Sequence, residues 1–100
     1  MLLDELHDQK PAITALAGRY GARHVRVFGS VARREEREDS DVDFLVELPH
    51  GYDMFAQRIP LTNDLSELLG RKVDLIPEHE LNQYIRDQVT REAVELTHVQ

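Results

Sequence analysis

The chain has 100 residues, enough for one small domain with a single core and too few for two. A hydrophobic share of 41% beside 31% charged residues fits a globular chain and excludes a disordered one. With 19 acidic and 12 basic residues the formal net charge is -7, which excludes a non-specific grip on nucleic acid, and the lack of cysteine excludes disulfides, thiolate zinc sites and a cysteine nucleophile.

Apolar residues open the chain at near-helical spacing: Leu2, Leu3, Leu6, Ile13, Leu16 and Ala17. Pro11 either kinks this helix or opens a second one, because proline lacks a backbone donor. Gly21 is the expected stop. Asp4, Glu5 and Asp8 stand where a signal peptide has its basic start. No apolar run approaches the roughly 18 residues of a membrane span, so the expectation is a cytoplasmic protein without membrane contact.

Val25 to Phe28 is short, β-branched and apolar and reads as a strand ending at Gly29. Val31 to Glu38 is rich in Ala, Arg and Glu and predicts a short helix with Ser30 as its N-cap. Asp39-Ser40 predicts a turn. Val42 to Leu48 alternates apolar and other residues, the pattern of a second strand, and Pro49-His50-Gly51 ends it. Tyr52 to Leu69 has helical periodicity with a kink or break at Pro60 and a cap at Gly70. Lys72 to Ile76 predicts a third strand closed by Pro77, and Glu78 to Leu96 one last helix. Helices alternating with short strands predict an α/β (α+β) domain over residues 1–100, a three- to four-stranded mixed sheet packed against helices.

Three carboxylates and a Gly-Ser pair carry the chemistry. Asp41 and Asp43 stand two apart at the start of a strand, on one face and roughly 6–7 Å apart along it. Such a pair repels itself and suits a hard cation, since Mg²⁺ uses one or two carboxylates with water and substrate phosphates. Taken alone it also fits a polar turn running into a solvated strand position. Asp74 lies inside Val73-Asp74-Leu75-Ile76, which reads as a buried strand, where a carboxylate must be paired or bind metal. The competing readings are an edge strand with a polar face, or a salt bridge to Arg71 or Lys72. If the second and third strands pair, three carboxylates can hold two metal ions. Gly29 permits close backbone approach, and Ser30 opens a helix whose N-terminus attracts phosphate; a plain capped turn is the alternative. Arg33 could reach the phosphates or pair with Glu36 or the neighbours of Arg37.

Phe28-Gly29-Ser30-Val31-Ala32-Arg33, followed by Asp39-Ser40-Asp41-Val42-Asp43-Phe44-Leu45-Val46, resembles the nucleotidyltransferase superfamily related to DNA polymerase β. Ten residues separate Ser30 from Asp41, the spacing of its Gly-Ser and Asp-x-Asp signature. Gly70 to Ile76 is similar to the strand bearing the third carboxylate. The size resembles the minimal nucleotidyltransferases (MNT), partners of HEPN ribonucleases in toxin–antitoxin pairs. The resemblance implies a nucleotidyltransferase fold and an antitoxin that transfers AMP from ATP to a tyrosine of the toxin. It implies that Gly29 and Ser30 bind the triphosphate, with Arg33 nearby, and that Asp41, Asp43 and Asp74 bind Mg²⁺, two ions in all. The partners it implies are a HEPN toxin, held in a hetero-oligomer, and ATP, with no direct nucleic-acid contact. An alternative is an antitoxin that neutralises its toxin by binding alone. Arg34 departs from the family, many members of which have glycine there.

Scattered histidines at 7, 24, 50, 79 and 98 lack metal-ligand spacing and read as surface or packing residues. The chain has no room for a second domain that binds an acceptor, so the acceptor is expected from another protein.

Overall fold

A computed structural model describes residues 2–96. Helices α1 (Leu2–Asp8) and α2 (Lys10–Arg19) come first, with Pro11 in the opening turn of α2, where its missing donor costs nothing. Strand β1 (Arg23–Phe28) leads into α3 (Gly29–Ala32), a single turn. Strand β2 (Val42–Glu47) follows, then a π-helical turn (Met54–Arg58) that runs into α4 (Ile59–Leu69). Strand β3 (Val73–Pro77), a 3-10 turn (Glu78–Glu80), α5 (Gln83–Glu92) and strand β4 (Val94–Glu95) complete the fold.

The sheet order is β3-β2-β1-β4. Strand β2 runs antiparallel to β1 and parallel to β3, so the sheet is mixed as expected. The parallel pair needs a crossover, and α4 supplies it. Gly70 closes α4 in a left-handed conformation, φ 65°, the one a helix end most readily gives to glycine.

The alternation in β2 decides what lies on each face. Val42, Phe44 and Val46 point into the core with Val25 and Val27 of β1 and Val73 and Leu75 of β3. Leu2, Leu3 and Leu6 of α1, Ile13 and Ala17 of α2, and Leu61 and Leu65 of α4 cover them. The opposite face carries Asp43 and Leu45 of β2 and Arg26 of β1. Arg26 is buried there, its guanidinium 3.0 Å from Glu78.

Two expected elements differ. The helix expected over Val31 to Glu38 stops at Ala32, because Arg34 takes a left-handed backbone, φ 59°. That conformation explains why glycine suits the position. The Arg34 guanidinium grips both carboxylate oxygens of Asp4 at 3.0 Å, tying the loop to α1. The last helix is also shorter than expected. Its start is the 3-10 turn, and its end becomes β4, paired to β1 through Val27 with Val94 and Arg26 with Glu95.

Leu96 sits just beyond β4, fully buried, with its amide donating to the Val25 carbonyl at 2.9 Å. Leu96→Ala is expected to cost about 2–5 kcal/mol, the range for buried leucine truncations, read as the shift in a urea melt. A loss near zero would show that the edge strand is not docked.

Candidate active site

Asp43 lies at the centre of the site. In the parallel pairing of β2 and β3 its register partner is Asp74, so two carboxylates stand side by side on one face of the sheet. Neighbouring strands lie about 4.8 Å apart, which leaves no room for a screening side chain between them. Asp41 precedes β2 by one residue, and its charge acts on Asp43. Among the described residues, no hydrogen bond or ion pair holds any of the three carboxylates.

Gly29 closes the site from the side of β1. Phe28 is paired with Asp43, so the chain leaves β1 directly beside that carboxylate. A Cβ on Gly29 would collide with the Asp43 carboxylate, and the backbone there is left-handed, φ 73°. Both facts favour glycine. Ser30 lies inside the α3 turn and is not its N-cap; Phe28 takes that place with no side-chain capping bond. One turn is too short to build a helix dipole. What the segment offers a phosphate is its backbone amides and the Ser30 hydroxyl.

Arg33 is exposed and ion-paired with Glu35 and Glu92, each at 3.3 Å. It is close enough to Asp43 to favour that carboxylate's charge. Asp74 is a correction. The strand that carries it is an edge strand, and Asp74 is exposed on its open face rather than buried. Adjacency to Asp43, not burial, brings Asp74 into the site. Nor does Asp74 pair with Arg71. The Arg71 guanidinium instead reaches the carbonyls of Arg37, Glu38 and Ser40 at 3.2–3.4 Å. It pins the loop that delivers Asp41, a role the sequence did not suggest. A basic residue directly after the Gly70 cap was the available signal.

A profile of the nucleotidyltransferase domain matches residues 12–96. The chain belongs to that family. A protein adenylyltransferase MntA from Thermococcus cleftensis is 42% identical over 79 residues, which is 79% of this chain and 79% of that protein. A solved structure described as a minimal nucleotidyltransferase has 44% identity and a TM-score of 0.80, covering 92% of this chain and 93% of that one. The fold is also shared, at 21% identity and a TM-score of 0.70, with a solved complex of a tri-AMPylated Shewanella oneidensis HEPN toxin and its MNT antitoxin, over 94% of this chain and 73% of that one. This places the chain among the minimal nucleotidyltransferases, with the mixed-sheet fold expected. No helix among its described residues is long and apolar enough to cross a membrane.

The residues of this nucleotidyltransferase fit a hard divalent cation. The donors are all carboxylate oxygens, none is taken by another described residue, and Gly29 leaves the space beside Asp43 clear. No three acidic or histidine side chains among the described residues converge tightly enough to enclose an ion unaided. Mg²⁺ does not require that, since water and substrate phosphates complete its shell. The electrostatics point the same way. Burial pushes the Asp43 pKa up, and the charges of Asp74 and Asp41 push it further, with Arg33 opposing.

A carboxylate with a raised pKa binds its proton more tightly in the folded state. Its contribution to stability is present below the unfolded value near 3.8 and is lost as pH rises through the folded value. Asp43→Asn stays neutral throughout. The metal-free variant is therefore expected to match the unmodified chain in acid and to melt roughly 2–5 °C higher at neutral pH. Added Mg²⁺ should narrow that gap by stabilising only the unmodified chain. Thermal melts across pH, with and without Mg²⁺, check both halves.

Proposed function

We propose that this nucleotidyltransferase is an antitoxin that moves AMP from ATP to a tyrosine of a cognate HEPN ribonuclease toxin. The observation that carries the reading is the Asp43–Asp74 pair, side by side and without a hydrogen-bond or ion-pair partner among the described residues, directly against the Gly29 turn. The 42% identical relative named as a protein adenylyltransferase supplies the reaction class. The complex containing a tri-AMPylated HEPN toxin supplies the kind of partner.

Mg²⁺ bound by Asp41, Asp43 and Asp74 would neutralise the triphosphate and draw charge from the reacting phosphorus. The Gly29–Ser30 amides and hydroxyl hold phosphate oxygens. Asp43, central among the carboxylates, fixes the distance between the nucleotide and the acceptor. Asp74, on the open edge, takes the phenolic proton as the tyrosine oxygen bonds to the α-phosphorus. The bond from that phosphorus to the bridging oxygen breaks, and its electron pair leaves on pyrophosphate. Arg33 reaches the departing phosphates only if its pairs with Glu35 and Glu92 open.

Incubation of the purified chain with its toxin, ATP and Mg²⁺, followed by intact-mass spectrometry, is expected to show a toxin mass gain of one or more AMP units. Asp74→Asn should slow transfer by about 10²–10⁴, the usual worth of a positioned general base. Asp43→Ala should abolish it and, at equal expression, lose toxin neutralisation in cells. Neutralisation that survives Asp43→Ala would instead establish an antitoxin acting by contact alone.

A further inference from the structure

The chain has three tyrosines, and two of them have their hydroxyls engaged. Tyr20 packs against the core and donates to Asp64 at 2.6 Å. Tyr52 also packs against the core, donates to Glu80 and accepts from the Arg58 guanidinium at 2.9 Å. Tyr84 differs on both counts. It is 85% exposed, and its hydroxyl has no hydrogen-bond partner among the described residues. Tyrosine normally buries much of its ring and pairs its hydroxyl, so one left this bare is unusual. We propose that Tyr84 is itself an acceptor of AMP, modified by the active site of a second copy of the chain. The proposal rests on the tyrosine-directed transfer described above and gives that reaction a second target.

Three observations carry it. The first is access. Tyr84 stands in the first turn of α5, a helix with no buried residue, so another molecule can reach its ring from most sides. The second is presentation. The Asn82 side chain accepts from the Tyr84 amide at 2.8 Å, and the Asn82 carbonyl accepts from the amides of Ile85 and Arg86, each at 3.0 Å. The backbone beneath the ring is thus capped and fixed while the ring is free, so seating it in another active site orders one side chain and little else. The third is distance. Glu92, at the far end of α5, reaches Arg33 beside the phosphate turn at 3.3 Å. Tyr84 lies near the opposite end of that helix, roughly 12 Å away at about 1.5 Å per residue. Helical side chains also lean toward the N-terminus, here away from the phosphate turn. The ring cannot span that separation to its own site, which assigns the transfer to a second copy. The chemistry is the toxin reaction with another phenol. The Tyr84 oxygen bonds to the α-phosphorus of ATP, the bond from that phosphorus to the bridging oxygen breaks, and its electron pair leaves on pyrophosphate. The phenolic proton passes to the base that serves the toxin reaction. Two copies of net charge -7 repel each other, so encounter limits this transfer and its rate follows chain concentration.

The test uses the full chain with ATP and Mg²⁺ and no toxin. Intact-mass spectrometry is expected to show a gain of one AMP unit over the Asp43→Ala chain, prepared in the same way and unable to transfer. Peptide mapping should place the gain on Tyr84. Tyr84→Phe, a change at an exposed position, should lose the gain while modifying the toxin at a rate within about twofold of the unsubstituted chain. Mixing Tyr84→Phe with Asp43→Ala, both shown to be folded by circular dichroism, should restore the gain on the Asp43→Ala chain alone. Its initial rate should rise about in proportion to the Tyr84→Phe concentration. A gain that persists in Tyr84→Phe, or no gain under conditions where the toxin is modified, would overturn the proposal and leave the transfer reaction intact. A gain in the unsubstituted chain that the mixture fails to reproduce would overturn transfer between copies. If neither the chain nor the toxin gains AMP, the function proposed above fails first, so the two failures are distinct.

Discussion

The pairing of Asp43 with Asp74 across β2 and β3 is the constraint on which the rest of the structure rests. Two carboxylates on adjacent strands repel. Water at the exposed Asp74 screens that repulsion, and the partly buried Asp43 answers it with a raised pKa. One residue further on, Phe44 stands beside Leu75 on the other face of the same ladder, both buried. Burying one such side chain contributes about 1.5–3 kcal/mol, which opposes the repulsion. Each strand therefore carries its own compensation, one residue along and on the opposite face. Leu61 and Leu65 of α4 hold β3 against the sheet from behind.

The surrounding segments serve that edge. Gly29 keeps the space beside Asp43 clear because a side chain there would strike the carboxylate. Arg71 collects three carbonyls of the loop before β2 and so fixes the approach to Asp41. Arg34 holds the same loop from its other end through Asp4, whose pKa falls to about 2 chiefly because of that guanidinium. A family position suited to glycine is thus occupied by an arginine whose left-handed backbone is offset by a paired side chain. The carboxylates are exposed to water on one side and braced on the others.

Much of this was legible in the sequence because it is local. The alternation over Val42 to Leu48 defines a strand and its two faces without any knowledge of its neighbours. The spacing from Ser30 to Asp41 identified the family, and the Gly70 cap stands where it was expected. What the sequence hid is non-local. Asp74 belongs beside Asp43 only because β3 takes the edge next to β2, a fact of sheet order that no window of residues contains. For the same reason Asp74 read as buried. Edge and central strands share the pattern Val-Asp-Leu-Ile, and only the missing neighbour exposes it. The tail failed similarly, since Val89, Ala93, Val94 and Leu96 keep helical spacing while pairing with β1 turns Val94 and Glu95 into a strand. The helix over Val31 to Glu38 failed on one residue, Arg34, whose pull toward Asp4 outweighs the local preference of an Ala-, Arg- and Glu-rich run.

Pro60 was legible as a disturbance, but its consequence was not. It stands at the second position of α4, where a regular helix leading in from Tyr52 would require its missing donor. The structure answers with a wider turn. The Ile59 amide bonds to the Met54 carbonyl, a five-residue step, and Asp53 caps the start by accepting from the amides of Phe55 and Ala56 at 2.8 and 2.9 Å. A wider turn carries its side chains outward and loosens their packing, which is why π-helical turns recur at functional sites. Here the residues it carries outward are Met54, Phe55 and Ile59. The proline that spoils a regular helix thus goes with a group of exposed apolar side chains at the entry to α4.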